Sequence, residues 1–147
     1  MGLYSYNILP INFCDYLINL YETDTGNHER VDKESKPTFT QLNLNKYHAN
    51  VVSNLCNYFS VALDFYKKDV PQAKYLPQVK YLEEFRIKKY AVGGQDRFDE
   101  HVDVVNHNSS RRCLAMLFYL NDIDSGGKTI FPYQNKEFTP KRGNVII

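Results

Sequence analysis

Apolar side chains recur at helical spacing in two segments of the first half of the chain. Residues 11–22 gather them on one helical face, and residues 43–68 repeat them at steps of three and four. The first face carries Phe13, Cys14, Leu17, Ile18 and Tyr21, and the second carries Leu44, Tyr47, Val51, Leu55, Tyr58, Ala62 and Phe65. Such stripes are typical of helices packed against a core. The pattern therefore predicts two helices, the second of them ended by Pro71.

Segments rich in polar residues or glycine separate the apolar ones. Residues 23–38, TDTGNHERVDKESKPT, predict a mobile loop in which His28 is solvated. His48 lies beside the apolar stripe of the second helix, where we expect a surface or packing role. The pair Gly126-Gly127 predicts a turn that needs positive φ.

The pattern changes to short extended segments after Pro77. Residues 81–90 alternate in part between apolar and polar side chains, and Gly93-Gly94 interrupts them. Residues 98–105 are strand-like again. These segments predict two strands on either side of a glycine break.

The last third of the chain is the most strongly apolar. Residues 112–121, RCLAMLFYLN, predict a strand buried on both faces. One of its faces has small residues at one end and Tyr119 at the other, which suits the wall of a cavity. Residues 129–133 and 144–147 predict two further strands. Helices followed by strands favour an α+β fold in which N-terminal helices buttress a sheet or barrel.

Composition and charge narrow the class of protein. The 147 residues suggest a single domain over 1–147, with 43% hydrophobic and 24% charged residues. A net charge of +1 gives no electrostatic case for binding nucleic acid, and no apolar run approaches the ~20 residues of a membrane span. The three cysteines, Cys14, Cys56 and Cys113, lie in apolar segments, so we expect buried reduced thiols. Residues 1–25 show no signal-peptide pattern, so we expect a cytoplasmic protein.

The segment RFDEHVDVVNH, residues 97–107, holds the strongest candidate for chemistry. On a strand, His101 and Asp103 point to the same face. An imidazole and a carboxylate side by side suit Fe(II) in a facial triad of two histidines and one carboxylate. The alternative is a surface ion pair beside Arg97 or Arg111.

Further motifs lie on both sides of His101 and Asp103 along the chain. They are Tyr90, Gly93-Gly94, Phe98, Arg112, FYLND at 118–122, GGKTIFP at 126–132 and TPKRGNVII at 139–147. In this order and spacing they resemble the prolyl 4-hydroxylase-like branch of the Fe(II)/2-oxoglutarate dioxygenases. The helix with Cys14 is similar to the opening helix of that family.

The resemblance implies a fold and a set of roles. The fold would be a double-stranded β-helix, a jelly-roll or cupin-like barrel with iron in its lumen. His101 and Asp103 would be the first two iron ligands. Tyr119 would donate a hydrogen bond to the distal carboxylate of 2-oxoglutarate, with Tyr90 lining that pocket. Leu117 and Thr129 match positions that flank this cosubstrate.

The resemblance also implies an activity. The protein would be an oxidoreductase that hydroxylates an unactivated C–H bond, in a prolyl residue of a peptide or protein. It would use Fe(II), 2-oxoglutarate, dioxygen and ascorbate. Separately, the net charge and the lack of a long apolar run predict neither a nucleic-acid nor a membrane partner.

The family's third ligand is a second histidine, on a strand beyond the equivalent of residues 144–147. Here the sequence ends at Ile147, and His107 is separated from His101 by roughly 20 Å of extended chain. A longer chain, a second polypeptide that completes the barrel, or an inactive relative acting as a binding or assembly module would each explain this. We expect residues 144–147 to form an open sheet edge, which favours the first two explanations.

Overall fold

A computed structural model describes residues 2–33, 36–93 and 95–147. The α-helices are α1 (Ile11–Thr23), α2 (Leu44–Tyr47) and α3 (Ala49–Asp69). The strands are β1 (Ser5–Asn7), β2 (Glu29–Lys33), β3 (Lys36–Asn43), β4 (Arg86–Lys89), β5 (Leu117–Phe118), β6 (Thr129–Phe131), β7 (Lys136–Phe138) and β8 (Asn144–Ile146). Short 3₁₀ helices cover Thr25–Asn27, Pro71–Tyr75 and Pro132–Gln134.

The chain divides into two compact units. The first unit comprises Met1–Asn19, Cys56–Gln78 and Cys113–Ile147, and the second comprises Leu20–Leu55 and Val79–Arg112. The described residues are α+β with antiparallel sheets, as the sequence predicted, and they contain no closed barrel. The single domain over 1–147 stays a prediction.

The first unit is built around a three-stranded antiparallel sheet in the order β1, β8, β5, accompanied by the β6–β7 hairpin. Its buried cluster joins the later turns of α3 and the next 3₁₀ helix to β8. The cluster consists of Ala62, Tyr66, Val70, Ala73, Val145 and Ile147. Tyr66 is 1% exposed, and its hydroxyl donates to the carbonyl of Gly2 at 3.0 Å. Residues spread over the sequence therefore share one core.

The expected open edge at residues 144–147 is wrong. β8 lies in the middle of its sheet, because β1 pairs with one side of it and β5 with the other. Val145 is fully buried and Ile146 is 3% exposed. An apolar strand loses most exposed area when both neighbours cover it, and the N-terminal strand supplies the second neighbour.

The second unit contains the antiparallel sheet β2–β3–β4 and the turns of α1 and α3 assigned to it. The polar segment 23–38, predicted to be a loop, contains a 3₁₀ turn and the start of the β2–β3 hairpin; its residues 34–35 lie outside the described residues. Phe39 and Leu42 of β3 are 4% and 0% exposed, so β3 anchors this hairpin in the core. A hairpin satisfies its backbone polar groups through pairing, which the polar side chains did not reveal.

The second predicted helix is two helices. α2 ends at Tyr47 and α3 begins at Ala49, with His48 at φ −138° between them. The Asn43 side chain accepts a hydrogen bond from the Lys46 amide at 3.1 Å, which caps α2. His48 Nε2 lies 2.6 Å from Asp24 Oδ2, so the histidine joins the helix junction to the segment after α1. The periodic stripe continues across the break and therefore concealed it.

Two of the predicted strands are largely absent. Residues 98–105 form no strand, and of residues 112–121 only Leu117–Phe118 is a strand. The second segment is also not buried on both faces, because Leu117 is 45% exposed. A strand needs a hydrogen-bonded neighbour, and no strand pairs with residues 98–105 in the described part of the chain. Of the Gly93-Gly94 break, Gly93 has a φ of +70° and Gly94 lies outside the described residues.

The three cysteines differ in environment, which corrects the expectation that all are buried. Cys14 is buried, Cys56 is intermediate and Cys113 is exposed. Burial raises the pKa of the Cys14 thiol above its ordinary value. In the native protein at neutral pH, a thiol-specific disulfide reagent is therefore expected to modify Cys113 first and Cys14 only after unfolding. Mass spectrometry of labelled peptides checks this order, and early labelling of Cys14 would contradict the burial.

Among the described residues, none of the helices has the length and apolar character needed to cross a lipid bilayer.

Candidate functional site

His101 and Asp103 face each other. His101 Nε2 lies 3.3 Å from Asp103 Oδ1, and the two side chains are 41% and 50% exposed. They lie on an irregular segment of the second unit, so the strand that was expected to aim them together is missing. Their separation of two residues along the chain is enough to bring them together.

The orientation of the His101 ring is fixed from its other side. His101 Nδ1 lies 2.9 Å from the carbonyl oxygen of Asp99. A carbonyl only accepts hydrogen bonds, so Nδ1 carries the proton and Nε2 is the nitrogen that faces Asp103. Metal-binding histidines are commonly held in this way, with one ring N–H donated to a backbone carbonyl. A protonated histidine in an ion pair with Asp103 uses the same geometry.

The pair also has a spacing that suits one metal ion. Two ligand bonds of roughly 2.1 Å at a right angle put their donor atoms about 3 Å apart. The observed 3.3 Å between Nε2 and Oδ1 is close to that value. Within the described ranges, no group of three or more His, Cys, Asp or Glu side chains is placed to hold a metal. The separation of the His101 and Asp103 donor atoms is therefore close to that of two adjacent ligands on one ion.

Arg112 holds the backbone at Asp103. Its Nη1 donates to the Asp103 carbonyl at 2.9 Å, while Nε and Nη2 donate to the two carboxylate oxygens of Glu83 at 2.5 and 3.0 Å. The Glu83 carboxylate raises the pKa of Arg112 above its ordinary value. A bidentate pair of this kind gives geometric specificity as well as attraction. Arg112, one of the motif residues that carry the resemblance, thus contacts the backbone of Asp103.

An aromatic cluster borders His101. The ring of Phe98 lies 4.1 Å from the imidazole, measured between centroids, and packs edge-to-face on Phe39 at 5.7 Å. Tyr90, expected to line the cosubstrate pocket, also packs edge-to-face on Phe39, at 5.8 Å. The structure therefore brings Tyr90 into the same cluster as His101. Phe39, which belongs to the hairpin mistaken for a loop, was missed.

In the first unit, Tyr119 and Thr129 are brought together. The Tyr119 hydroxyl donates to Thr129 Oγ1 at 2.6 Å. Burial raises the pKa of Tyr119 above its ordinary value, and the bond to Thr129 opposes this in part. The phenol thus stays protonated at neutral pH and can donate a hydrogen bond. Leu117, the third residue expected here, lies on β5 and is 45% exposed.

The other histidines have different partners. His28 Nε2 lies 2.8 Å from the Tyr21 carbonyl oxygen, and its ring stacks on the Tyr21 ring with centroids 4.1 Å apart. His28 is therefore packed, and the expectation that it is solvated was wrong. His48 contacts Asp24. His107 lies in a turn, with Asn108 and Arg111, beside a small cavity of the second unit.

Curated relatives are named as prolyl 4-hydroxylases. The chain is 37% identical over 79 residues to "Probable prolyl 4-hydroxylase 9" of Arabidopsis thaliana, an alignment covering 50% of this chain and 26% of that protein. It is 25% identical over 148 residues to "Probable prolyl 4-hydroxylase 3" of the same plant, covering 91% of this chain and 46% of the relative. It is 30% identical over 73 residues to human "Prolyl 4-hydroxylase subunit alpha-1", covering 44% of this chain and 13% of the relative.

These alignments are partial. In them the chain spans 26%, 46% and 13% of the length of the curated relatives. No family model matches the chain, and no solved structure matches it significantly. The similarity thus extends to proteins named prolyl 4-hydroxylases, at low identity.

Proposed function

We propose that this chain carries part of the active site of an Fe(II)- and 2-oxoglutarate-dependent dioxygenase similar to the prolyl 4-hydroxylases. The observation that carries the proposal is the orientation of His101. Its Nδ1–H is donated to Asp99, which leaves Nε2 beside the Asp103 carboxylate at 3.3 Å. The names of the curated relatives support the same reaction class.

Each site residue has a distinct task in this proposal. His101 and Asp103 hold the metal, and Arg112 keeps the Asp103 backbone in place. In this proposal the Tyr119 hydroxyl turns its single proton from Thr129 to a carboxylate of 2-oxoglutarate, and the Thr129 hydroxyl then donates to the phenol oxygen. Leu117 and Tyr90 provide apolar and aromatic surface for cofactor binding. When bound, iron and 2-oxoglutarate supply dioxygen activation, with 2-oxoglutarate converted to succinate and carbon dioxide.

The substrate and the full architecture belong to the same proposal. The hydroxylated group is a prolyl residue of a peptide or protein, and ascorbate keeps the iron reduced. The fold is a double-stranded β-helix whose third ligand comes from a further segment or a second chain. This part of the proposal is supported by the facing arrangement of His101 and Asp103, 3.3 Å apart.

A second candidate is a catalytically inactive module that binds or assembles with a partner. Among the described residues, no group of three or more His, Cys, Asp or Glu side chains is placed to hold a metal, which favours this candidate. Reading the gene past codon 147 separates the two candidates. In the family that the chain resembles, the third ligand histidine is followed by a Lys or Arg that pairs with the distal carboxylate of 2-oxoglutarate, so finding both downstream supports the enzyme.

The test is 2-oxoglutarate-dependent succinate formation by the full-length protein with Fe(II), ascorbate and a proline-rich peptide. Tyr119→Phe is expected to raise KM for 2-oxoglutarate about tenfold with a smaller change in kcat, since one hydrogen bond to a charged group is lost. Tyr133→Phe is the matched control, because Tyr133 is 91% exposed in the same unit. An unchanged KM for 2-oxoglutarate in Tyr119→Phe would show that Tyr119 does not bind this cosubstrate. If the wild-type protein formed no succinate, the inactive binding module would be the remaining candidate.

A further inference from the structure

Two lysines of the second unit hold their ammonium groups over an aromatic surface, and these residues are named here the lysine platform: Lys33, Lys88, Phe39 and Phe98. Lys33 Nζ lies 4.3 Å from the Phe98 ring centroid. Lys88 Nζ lies 4.6 Å from the centroid of Phe39 and 5.3 Å from that of Phe98. The faces of aromatic rings attract cations, so the rings hold both charges at one place.

Within the part of the chain that the structure describes, the two ammonium groups form no ion pair with a carboxylate. Among the described residues, no carboxylate oxygen lies within 4.0 Å of either one. Neighbouring acids are already paired with arginines, Asp32 and Asp96 with Arg30 and Asp99 with Arg97. The platform therefore presents two ammonium charges without a direct ion pair to a described carboxylate, although Asp103 offsets part of the charge at Lys88.

The environment of Lys88 indicates that an anion is favoured there. Burial lowers the pKa of Lys88, and the charges of Arg86 and Lys33 lower it further, while Asp103 opposes them. An ammonium ion that is partly desolvated beside two other cations is stabilised by a carboxylate brought close to it.

The form of the surface favours a polypeptide over a small dianion. Small ligands bind in concave sites, and two cavities of the described residues, at His107–Arg111 and at Ile130–Glu137, are lined by other residues. Lys33 and Lys88 are exposed as whole residues, while the groups packed around the Lys88 ammonium desolvate it in part. The segment that follows Phe98 exposes Val102, Val104 and Val105 by 66%, 47% and 69%, which is apolar area suited to a docked chain.

We propose that the lysine platform binds acidic side chains of a polypeptide and holds that polypeptide beside His101. Phe98 connects the two places, because its ring contacts both the Lys33 ammonium and the His101 imidazole. The inference rests on the proposed function in one respect, that this polypeptide is the hydroxylation substrate. It narrows the substrate class to sequences with Glu or Asp near the target residue.

The experiment measures peptide binding without metal, by fluorescence anisotropy on the whole chain in the presence of a chelator. The probes are labelled peptides of alternating Glu and Pro, Gln and Pro, or Lys and Pro. The Glu–Pro peptide is expected to bind tightest, and raised salt should weaken it because exposed charges are screened. Lys33→Gln and Lys88→Gln are each expected to weaken Glu–Pro binding about tenfold, since each removes a charge-assisted contact.

Lys89→Gln is the matched control. Lys89 neighbours Lys88 on β4, but its ammonium pairs with Glu22 at 2.6 Å. Replacing it should leave Glu–Pro binding unchanged, and circular dichroism establishes that all three variants are folded.

Three results would overturn the inference: equal affinity for the Glu–Pro and Gln–Pro peptides, binding unaffected by both platform substitutions, or displacement of the peptide by succinate at similar affinity. The last result would assign the lysines to a small dianion. Because no metal is present, these outcomes are independent of succinate formation. If the full-length protein forms succinate but the platform substitutions leave peptide binding unchanged, the proposed function stands and only the present inference is wrong.

Discussion

His101→Ala is expected to lower the affinity of the chain for a divalent metal about a hundredfold and to abolish succinate formation by the full-length protein. Replacement of residues that merely support metal ligands typically costs 10–100-fold in affinity, and removal of a ligand costs at least as much. Nε2 is the only His101 nitrogen free to bind, because Nδ1 is committed to the Asp99 carbonyl. Isothermal titration calorimetry with Co²⁺ measures this metal affinity directly.

Asp103→Asn and His107→Ala complete that experiment. Asp103→Asn keeps the shape of the side chain but removes its charge, so it should also weaken metal binding. His107→Ala is the control, since His107 lies in a nearby turn on the same exposed segment. If His101→Ala bound the metal as tightly as the wild type, the His101–Asp103 pair would be a surface ion pair and the enzyme proposal would lose its main support.

Gly143→Ala is expected to destabilise the protein by about 3 kcal/mol, which is a large share of the stability of a small domain. Gly143 has a φ of +82°, and a Cβ atom there would lie 2.5 Å from the Leu9 carbonyl oxygen and 3.1 Å from Asn7 Nδ2. Backbone atoms cannot rotate away from such a contact, so the chain itself would have to shift.

The same glycine joins two parts of the first unit. Its carbonyl accepts hydrogen bonds from the amides of Ile8 and Leu9 at 2.8 and 2.9 Å, and its amide donates to the Tyr119 carbonyl at 2.9 Å. A displaced backbone at this position would therefore weaken the hold on the N-terminal segment and on Tyr119 together. Tyr119 is proposed to bind 2-oxoglutarate, so a partly folded Gly143→Ala variant should also show a raised KM.

Gly126→Ala is the control that separates the effect of the steric clash from the effect of a positive φ. Gly126 has a comparable φ of +76°, but a Cβ atom there would meet no atom within 4 Å. Gly126→Ala should lower the free energy of unfolding by only about 1 kcal/mol, which is the usual penalty for a left-handed backbone at a residue with a side chain. Urea unfolding monitored by circular dichroism compares the two variants. Equal losses of unfolding free energy would show that the backbone near Leu9 shifts and relieves the clash with a Cβ atom at position 143.

The sequence predicted the helices well because their contacts are local. The stripe over residues 11–22 corresponds to α1, where Cys14, Leu17 and Tyr21 are 0%, 2% and 3% exposed. A helix satisfies its backbone within four residues, so periodicity alone nearly specifies it. The break at His48 escaped because an apolar stripe continues across a change in backbone angle.

The sequence predicted the strands less well because a strand requires a partner elsewhere in the chain. Residues 98–105 have a strand pattern and remain irregular, whereas the polar β2 is paired because β3 follows it and is anchored in a core by Phe39 and Leu42. The N-terminal strand β1 covers one side of β8, a pairing that no local pattern could indicate.

By itself, the sequence determined the proximity of His101 and Asp103, because two residues of chain cannot separate them far. It also determined the α+β class and the positive φ of the Gly126-Gly127 turn. Only the tertiary structure decided that Arg112 and Glu83 fix the backbone of Asp103, that Tyr119 meets Thr129, and that Lys33 and Lys88 share the rings beside His101. Those contacts join residues distant in sequence, and burial and charge select among such pairings only when the whole chain packs.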